Sequence, residues 1–380
     1  MLYSFPVYPS AVDRLAALSA ALGPGGLTVM VDHAEQIKLL TRLASKSGHP
    51  PLAFLKVNVG GNRAGVVPSS PACAALVREL LLSETVGASI FWGLYSHAGH
   101  SYASRRDWEA MGVLGDEFAA LHDVARAVRR DRPEQPLVLS VGATPTATTL
   151  HHPDFGVDTD ADLDGDVDVD DAPAAPGPAL IKDLMARMRA ERLMLEVHAG
   201  VYPTLDLQQL AAHACDARYL SASAIAVTVL AEVASVYPGR GTGRATNTTE
   251  ALVNAGSLAL GREPCEDRGE VKGRDYAAWG IVMPWAGVAN VVPGPGFPAV
   301  HAGWQVARIS QEHGVLAWRD GEGEGAAEEE TALAVGQRVR IWPNHSCITG
   351  AGHPFYFVVD SRNRGREDEV VDVWLRWNGW

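Results

Sequence analysis

The first two hundred residues repeat one unit, a short and nearly continuous apolar run followed by a stretch of helical period. No other feature of the chain restricts its fold as much. The apolar runs are 27–31, 52–59, 88–95, 137–141 and 193–198; the helical stretches are 35–47, 71–82, 108–130 and 179–192. Strands that are apolar along their whole length are buried on both faces. The pattern therefore predicts a parallel sheet covered by helices, in a (β/α)8-type barrel or a doubly wound α/β fold. Polar and glycine residues collect just past the ends of four of these strands, at 58–65, 97–102, 140–146 and 198–202. In a barrel the loops at that end converge on one rim, where catalysis sits.

After Cys215 the period changes. An apolar run over 224–237, rich in β-branched residues, is followed by short runs separated by glycine turns: 252–260, 279–283, 304–310, 314–317, 338–342, 356–359 and 370–375. This predicts a mainly β domain, so the chain divides into an α/β barrel over 1–215 and a C-terminal β domain over 216–380. An insertion at 154–178 carries an acidic run in which Asp160, Asp162, Asp164, Gly165 and Asp171 fall on the spacing of a calcium loop. That motif needs flanking helices and a closing Glu, whereas a Pro/Ala-rich tail follows here, so a solvated acidic loop is the reading. The stretch 320–330 is a surface turn of the same kind.

The formal net charge of −13 repels phosphate backbones, which excludes nucleic acid as a partner. Four scattered cysteines, Cys73, Cys215, Cys265 and Cys347, form no disulfide framework and point to a reducing compartment. No apolar run reaches the ~20 residues of a membrane span, and the opening residues lack the pattern of a signal peptide, so a cytoplasmic protein is expected.

One short motif carries metal chemistry. In W-P-N-H-S-C-I-T-G-A-G, from Trp342 to Gly352, His345 and Cys347 stand two residues apart, which on a strand puts both side chains on one face. Imidazole and thiolate together suit zinc rather than the hard cations. On spacing alone, with no second ligand pair to close a structural site, a buried Cys beside an ordinary His is the favoured reading.

An ordered series of motifs resembles the eukaryotic D-serine dehydratase family, related to D-threonine aldolase and alanine racemase. They are Y-S-F-P, L-K-V-N-V-G-G-N-R-A-G, Y-S-H-A-G-H-S-Y, S-V-G-A-T-P-T, L-E-V-H-A-G-V-Y with D-L-Q-Q after it, V-N-A-G-S-L-A-L, V-A-R-I-S-Q-E-H-G, P-N-H-S-C-I-T and V-D-V-W-L. The resemblance implies a pyridoxal 5′-phosphate barrel of the alanine racemase type, a C-terminal β domain, a zinc ion and a homodimer. It places Thr144 and its neighbouring amides on the cofactor phosphate, with Gly200 and Val201 as a second phosphate loop. His198 falls where alanine racemases carry the Arg facing the pyridine nitrogen; Tyr95 and Tyr102 match residues lining the cofactor. His345 and Cys347 match the zinc ligands, and a thiolate there favours a dehydratase over the aldolases, which resemble His-x-Asp.

The implied reaction converts D-serine to pyruvate and ammonia: a lysine removes the α-proton, the cofactor stores the charge, and zinc activates the β-hydroxyl as a leaving group. The family's Schiff-base lysine lies in a motif upstream of everything matched here. None of the five lysines, Lys38, Lys46, Lys56, Lys182 and Lys272, stands in it. The sequence thus gives the expectation that the barrel's first units are missing, that no residue of this chain is the catalytic lysine, and that the chain alone does not dehydrate D-serine. An aldolase-like or racemase-like enzyme, and a catalytically dead remnant or binding protein, are the alternatives.

Overall fold

A computed structural model of the protein describes residues 1–152, 155, 177–215, 219–241, 248–265, 278–283, 302–320, 331–360, 362, 363, 366 and 368–377. The calcium-like spacing at Asp160–Asp171, the turn at 321–330 and Lys272 lie outside the described residues. The chain forms two compact units, one of Met1–Ala199 with Ala214–Asp216, the other of Gly200–His213 with Ala217–Trp380.

In the first unit six strands, β1 (Leu2–Pro6), β2 (Thr28–Val31), β3 (Leu52–Lys56), β4 (Ile90–Tyr95), β5 (Leu137–Val141) and β6 (Leu193–Val197), lie side by side in chain order. Every neighbouring pair is parallel. Between them run α1 (Val12–Leu22), α2 (Glu35–Ser47), α3 (Pro71–Thr85), α4 (Asp107–Asp131), α5 (Thr144–Thr148) and α6 (Pro178–Ala190). Helix boundaries follow local chemistry: Ser70 caps α3 by accepting the Cys73 N–H at 3.1 Å with Pro71 in the first turn, and Gly48 ends α2 in a left-handed conformation.

Leu15 of α1, Leu40 of α2, Leu80 of α3, Phe118 of α4 and Ile181 of α6 all join one core with the strand residues Val29, Leu55 and Leu139. The opposite set, Met30, Phe54, Tyr95 and Val138, forms a separate cluster. Helices thus cover one face only while the strands keep sequential order, which is the winding of a barrel and excludes the doubly wound alternative. Strands β2 to β5 are covered as their composition predicts. The outer strands β1 and β6 are not, for Phe5 is 62% and Val197 39% exposed. Strand β1 lacks the long apolar run of the others and was hidden in the sequence for that reason.

The second unit is the predicted β domain. It is a closed antiparallel barrel in the order β10-β11-β8-β7-β12-β9, built from β7 (Val229–Tyr237), β8 (Glu250–Val253), β9 (Gly280–Val282), β10 (Gly303–Ile309), β11 (Gly314–Arg319) and β12 (Arg338–Pro343). Closure leaves no free edge within it. Val233, Val253, Trp304, Val306, Leu316 and Ile341 fill its interior, and the Trp304 indole N–H donates to the Thr331 carbonyl at 2.8 Å. Three short helices, α7 (Leu207–Ala212), α8 (Ser257–Leu260) and α9 (Ser346–Ala351), and a hairpin of β13 (Phe355–Val359) and β14 (Val370–Leu375) complete the unit.

Two sequence expectations are corrected here. The segment Gly200–His213, assigned to the barrel by a boundary at 215/216, packs with the β domain. Leu207, Leu210 and Ala211 of α7 are buried with Ile281 and Trp342, and the Gln208 N–H donates to the Asn344 carbonyl at 3.1 Å. Second, His345 and Cys347 are not on a strand. Strand β12 ends at Pro343, which fixes its own φ and has no N–H to continue a ladder; His345 is the residue preceding α9 and Cys347 lies in its first turn.

Gly93 in the middle of β4 marks the closest strand packing. A Cβ there would strike the Val138 carbonyl oxygen and carbon of β5 and the Phe54 ring. Gly93→Ala is expected to destabilise the first unit by about 2 kcal/mol or more, because overpacking against backbone finds no relief in a rotamer change. An unchanged urea midpoint would refute this reading of the sheet.

Candidate active site

The site of the first unit follows from strand register. Lys56 pairs with Tyr95, Tyr95 with Ser140, and Ser140 with Glu196, so one row crosses β3, β4, β5 and β6 on the face away from the helices. Side chains two residues apart on a strand share a face, which puts Asn58, His97, Gly142 and His198 in the next row, just beyond the strand ends. The Tyr95 and His198 rings stack at 4.3 Å with 10° between planes, and His97 lies parallel to His198 at 6.2 Å. The Lys56 ammonium stands 4.6 Å from the centre of the Tyr95 ring. A cavity of about 240 Å³ opens beside them, lined by Lys56, Asn58, Asn62, Arg63, His97 and His100 among others.

Burial sets the protonation of this cluster. It lowers Lys56 to about 8, with the charge of Arg63 adding to the effect, and raises Tyr95 to about 12, helped by Glu196. It also lowers His97 and His198 to about 4, so both imidazoles are neutral at pH 7. The result is two neutral imidazoles and a neutral phenol beside a lysine that stays largely charged at pH 7 but gives up its proton more easily than usual.

Beyond β5 the chain turns at Gly142, where φ is +138° and a Cβ would collide with the His198 carbonyl, so only glycine fits. Glu117 of α4, fully buried, accepts from the Ser96 hydroxyl at 2.7 Å, the Gly142 N–H at 3.2 Å and the Thr146 hydroxyl at 3.1 Å. Its burial pushes the carboxyl pKa up, and the three donors pull it back. This carboxylate ties the ends of β4 and β5 to the turn holding Thr144, itself 1% exposed. Tyr102 lies on the turn Gly99–Ala103 that follows β4, its carbonyl accepting from the Arg105 guanidinium at 3.3 Å.

In the second unit Asp206, fully buried, caps α7 by accepting the Gln209 N–H and also takes the Ser346 N–H, each at 2.9 Å. It thereby fixes the start of α9. Burial raises its pKa to about 7. Gln208 donates its amide to the Pro264 carbonyl at 2.8 Å, which turns its oxygen toward His345 Nδ1 at 2.6 Å. That oxygen can only accept, so Nδ1 carries the proton and Nε2 presents a lone pair, the arrangement that orients a metal-binding histidine. Cys347 is exposed, yet partial desolvation and then the Asp206 charge hold its thiol above the ordinary range. Gly200 is adjacent: a Cβ on it would stand 3.2 Å from the Cys347 sulfur. Val201 is fully buried, and its carbonyl accepts from Leu205 N–H at 2.8 Å.

The structure thus brings Tyr95 against His198 and Gly200 against Cys347, and sets Thr144 on the buried turn after β5. Sequence reasoning missed Glu117, Glu196, Gln208 and Asp206 as parts of these constellations. Glu196, Asp206 and Gln208 lay inside quoted motifs, whereas Glu117 sits in an ordinary amphipathic helix with nothing to mark it. Among the described residues no cluster of three or more His, Cys, Asp or Glu side chains stands ready for a metal.

The depressed histidines make a pH prediction. Unfolding returns each to about 6.5, so their contribution is complete above that pH and is lost as pH falls toward about 4. His97→Asn is expected to flatten the fall of the urea midpoint between about pH 6.5 and pH 4.5. An identical pH profile in variant and wild type would contradict the burial described above.

Two family models match the chain: "Alanine racemase, N-terminal domain" over residues 11–159 and "Putative serine dehydratase domain" over 226–359. The D-serine dehydratase of Schizosaccharomyces pombe is 31% identical over 385 residues, covering 100% of this chain and 74% of that protein. The D-serine dehydratase of Saccharomyces cerevisiae is 32% identical over 387 residues with the same coverage. Among solved structures, D-threo-3-hydroxyaspartate dehydratase from Delftia sp. HT23 superposes with a TM-score of 0.65 at 25% identity, covering 100% of this chain and 79% of that one. With an alanine-racemase-type parallel sheet followed by an antiparallel barrel, and with similarity along the whole of this chain to about three-quarters of each yeast enzyme, the chain belongs to the D-serine dehydratase family.

Proposed function

We propose that this chain is a lyase of the pyridoxal 5′-phosphate- and zinc-dependent kind, acting on D-serine to give pyruvate and ammonia. The observation that carries the reading is the row Lys56, Tyr95, Ser140 and Glu196 with the stacked His198 above it. It is an aromatic and imidazole floor with a buried ring nitrogen, His198 Nε2, that has no hydrogen-bond partner among the described residues and suits a flat heterocycle. In this reading Tyr95, Tyr102 and His198 line the cofactor ring, and Thr144 holds its phosphate on the turn that Glu117 keeps in place. In the second unit Gly200 keeps the backbone clear beside Cys347. When bound, the cofactor supplies the electron sink that makes an α-proton acidic.

Zinc suits His345 and Cys347. Gln208 already holds the imidazole in the metal-binding tautomer, and a thiol kept protonated in the free protein exchanges its proton for the metal on binding. Two protein ligands leave positions open for water or a hydroxyl, as a Lewis-acid site requires. The related hydroxyaspartate dehydratase has a mutant solved in a form described as metal-free, which supports a metal in this family. Small D-amino acids, a homodimer and a cytoplasmic setting belong to the same proposal. The four free cysteines accord with a reducing compartment, and no helix among the described residues is long and apolar enough to cross a membrane.

A second reading, binding without turnover, is favoured by one observation. Among the described residues Lys56 is the only buried lysine, and it stands in a motif other than the one the family uses to anchor its cofactor. Supplying the chain with pyridoxal 5′-phosphate and zinc, then measuring pyruvate from D-serine, separates the two. The dehydratase reading expects pyruvate from D-serine and none from L-serine; cofactor uptake without pyruvate supports the second.

For the metal, Cys347→Ala is expected to lose most bound zinc, and Gln208→Leu to weaken zinc binding by about 10- to 100-fold while leaving the fold intact. Undiminished zinc content in Cys347→Ala would sink the assignment.

A further inference from the structure

Among the buried side-chain polar atoms of the first unit that find no hydrogen-bond partner within the described residues, His198 Nε2 is the one on the Tyr95 floor. Its sister nitrogen, Nδ1, lies 3.0 Å from the Ser140 hydroxyl oxygen, and that hydroxyl lies 2.6 Å from a Glu196 carboxylate oxygen. The three residues are fixed by sheet register, since Ser140 and Glu196 are directly paired across β5 and β6 and His198 follows two residues later. A hydroxyl has one proton, and a carboxylate can only accept. The short, charge-assisted bond to Glu196 takes that proton, which leaves a Ser140 lone pair facing His198. Nδ1 must then be the protonated nitrogen of the neutral ring.

We propose that Glu196 and Ser140 are positioning residues that lock His198 in its Nδ1–H form, making Nε2 a buried acceptor for the N–H of a protonated heteroaromatic ring. This rests on the reading of the first unit as a pyridoxal 5′-phosphate site and adds which atom holds the proton. An acceptor at that place keeps the proton on the bound ring nitrogen, and a ring carrying that positive charge withdraws electrons more strongly than a neutral one. The groups facing His198 are consistent with a neutral imidazole. Tyr95 covers one side, His97 runs parallel to it, and the charge of Lys56 opposes a second proton. The Gly142 backbone is the opposing influence, because its interaction with the ring raises the proton affinity of His198.

The test uses the full chain labelled with ¹⁵N-histidine, first without cofactor. Wild type is expected to show His198 with Nδ1 protonated and Nε2 bare. Ser140→Ala removes the acceptor and Glu196→Ala frees the hydroxyl, so both are expected to shift the ring toward the Nε2–H form. Glu196 is exposed, and Ser140→Ala is nearly isosteric, so both variants are expected to fold, which circular dichroism checks. An Nε2–H ring in wild type, or no change in either variant, overturns the proposal whether or not the cofactor binds. A second arm compares pyridoxal 5′-phosphate with its 1-deaza analogue, which has carbon in place of the ring nitrogen. Wild type is expected to prefer the true cofactor by about tenfold or more, and Ser140→Ala to lose most of that preference. Equal weakening of both ligands would mark Ser140 as merely structural and overturn its role. Failure of wild type to bind either ligand defeats the cofactor reading alone, since the tautomer is decided without it.

Discussion

Parallel pairing sets Lys56 opposite Tyr95, Tyr95 opposite Ser140 and Ser140 opposite Glu196, and everything described at the site of the first unit depends on those three registrations. A slip of one residue at any pairing would turn the slipped strand's polar residues toward the helix-covered core and its leucines toward the cavity. The core opposes such a slip, because Leu55, Leu94 and Leu139 are each fully buried among the helices. Hydrophobic packing on one face therefore positions the polar chemistry on the other. The four chemical groups share no local sequence signal; they share a register.

Putting a lysine, two imidazoles and a tyrosine in such a place is expensive, since each loses hydration. Two further groups, fully buried carboxylates, one in each unit, gather donors from separate segments. Glu117 holds Ser96, Gly142 and Thr146 in the first unit; Asp206 holds Gln209 and Ser346 in the second. In both, the carboxylate acts as a cross-brace for a loop that no sheet or long helix constrains. Burial raises the pKa of each, which shows that the bracing is achieved against a desolvation cost.

How much of this was legible in the sequence depended on whether the signal was periodic. The apolar runs of β2 to β5 and the helices α2, α3 and α4 announced themselves, because burial on both faces imposes long uninterrupted patterns. Strand β1, with Phe5 exposed, had no such pattern to show. The short helices α7 and α9 were invisible for the opposite reason: six residues are too few for a 3.6 period to emerge. That is why His345 and Cys347 were read as strand neighbours, when Pro343 in fact ends β12 before them. Of the site residues, Tyr95 and His198 were recognisable from their motifs, but their stacking was not, since it follows from an offset of β4 against β6 through β5. Glu117 could not have been singled out, because a buried glutamate one position from Phe118 is indistinguishable in sequence from an exposed one.

Two imidazoles, one in each unit, are oriented by the same device. In each, a side-chain oxygen faces Nδ1, from Gln208 at 2.6 Å for His345 and from Ser140 at 3.0 Å for His198. In each, that oxygen is itself committed: the Gln208 amide donates to the Pro264 carbonyl, and the Ser140 hydroxyl donates to Glu196. The second bond is what makes the first informative. A free amide or hydroxyl could present either a donor or an acceptor to the ring, whereas a committed one presents only a lone pair, and the ring proton must then sit on Nδ1. Both rings thereby carry their proton on Nδ1 rather than Nε2, and burial lowers the proton affinity of each. A bare Nε2 serves any electron-poor partner. Beside a thiol such as Cys347 the partner that suits it is a soft metal cation; over the flat Tyr95 ring it is the N–H of a heterocycle.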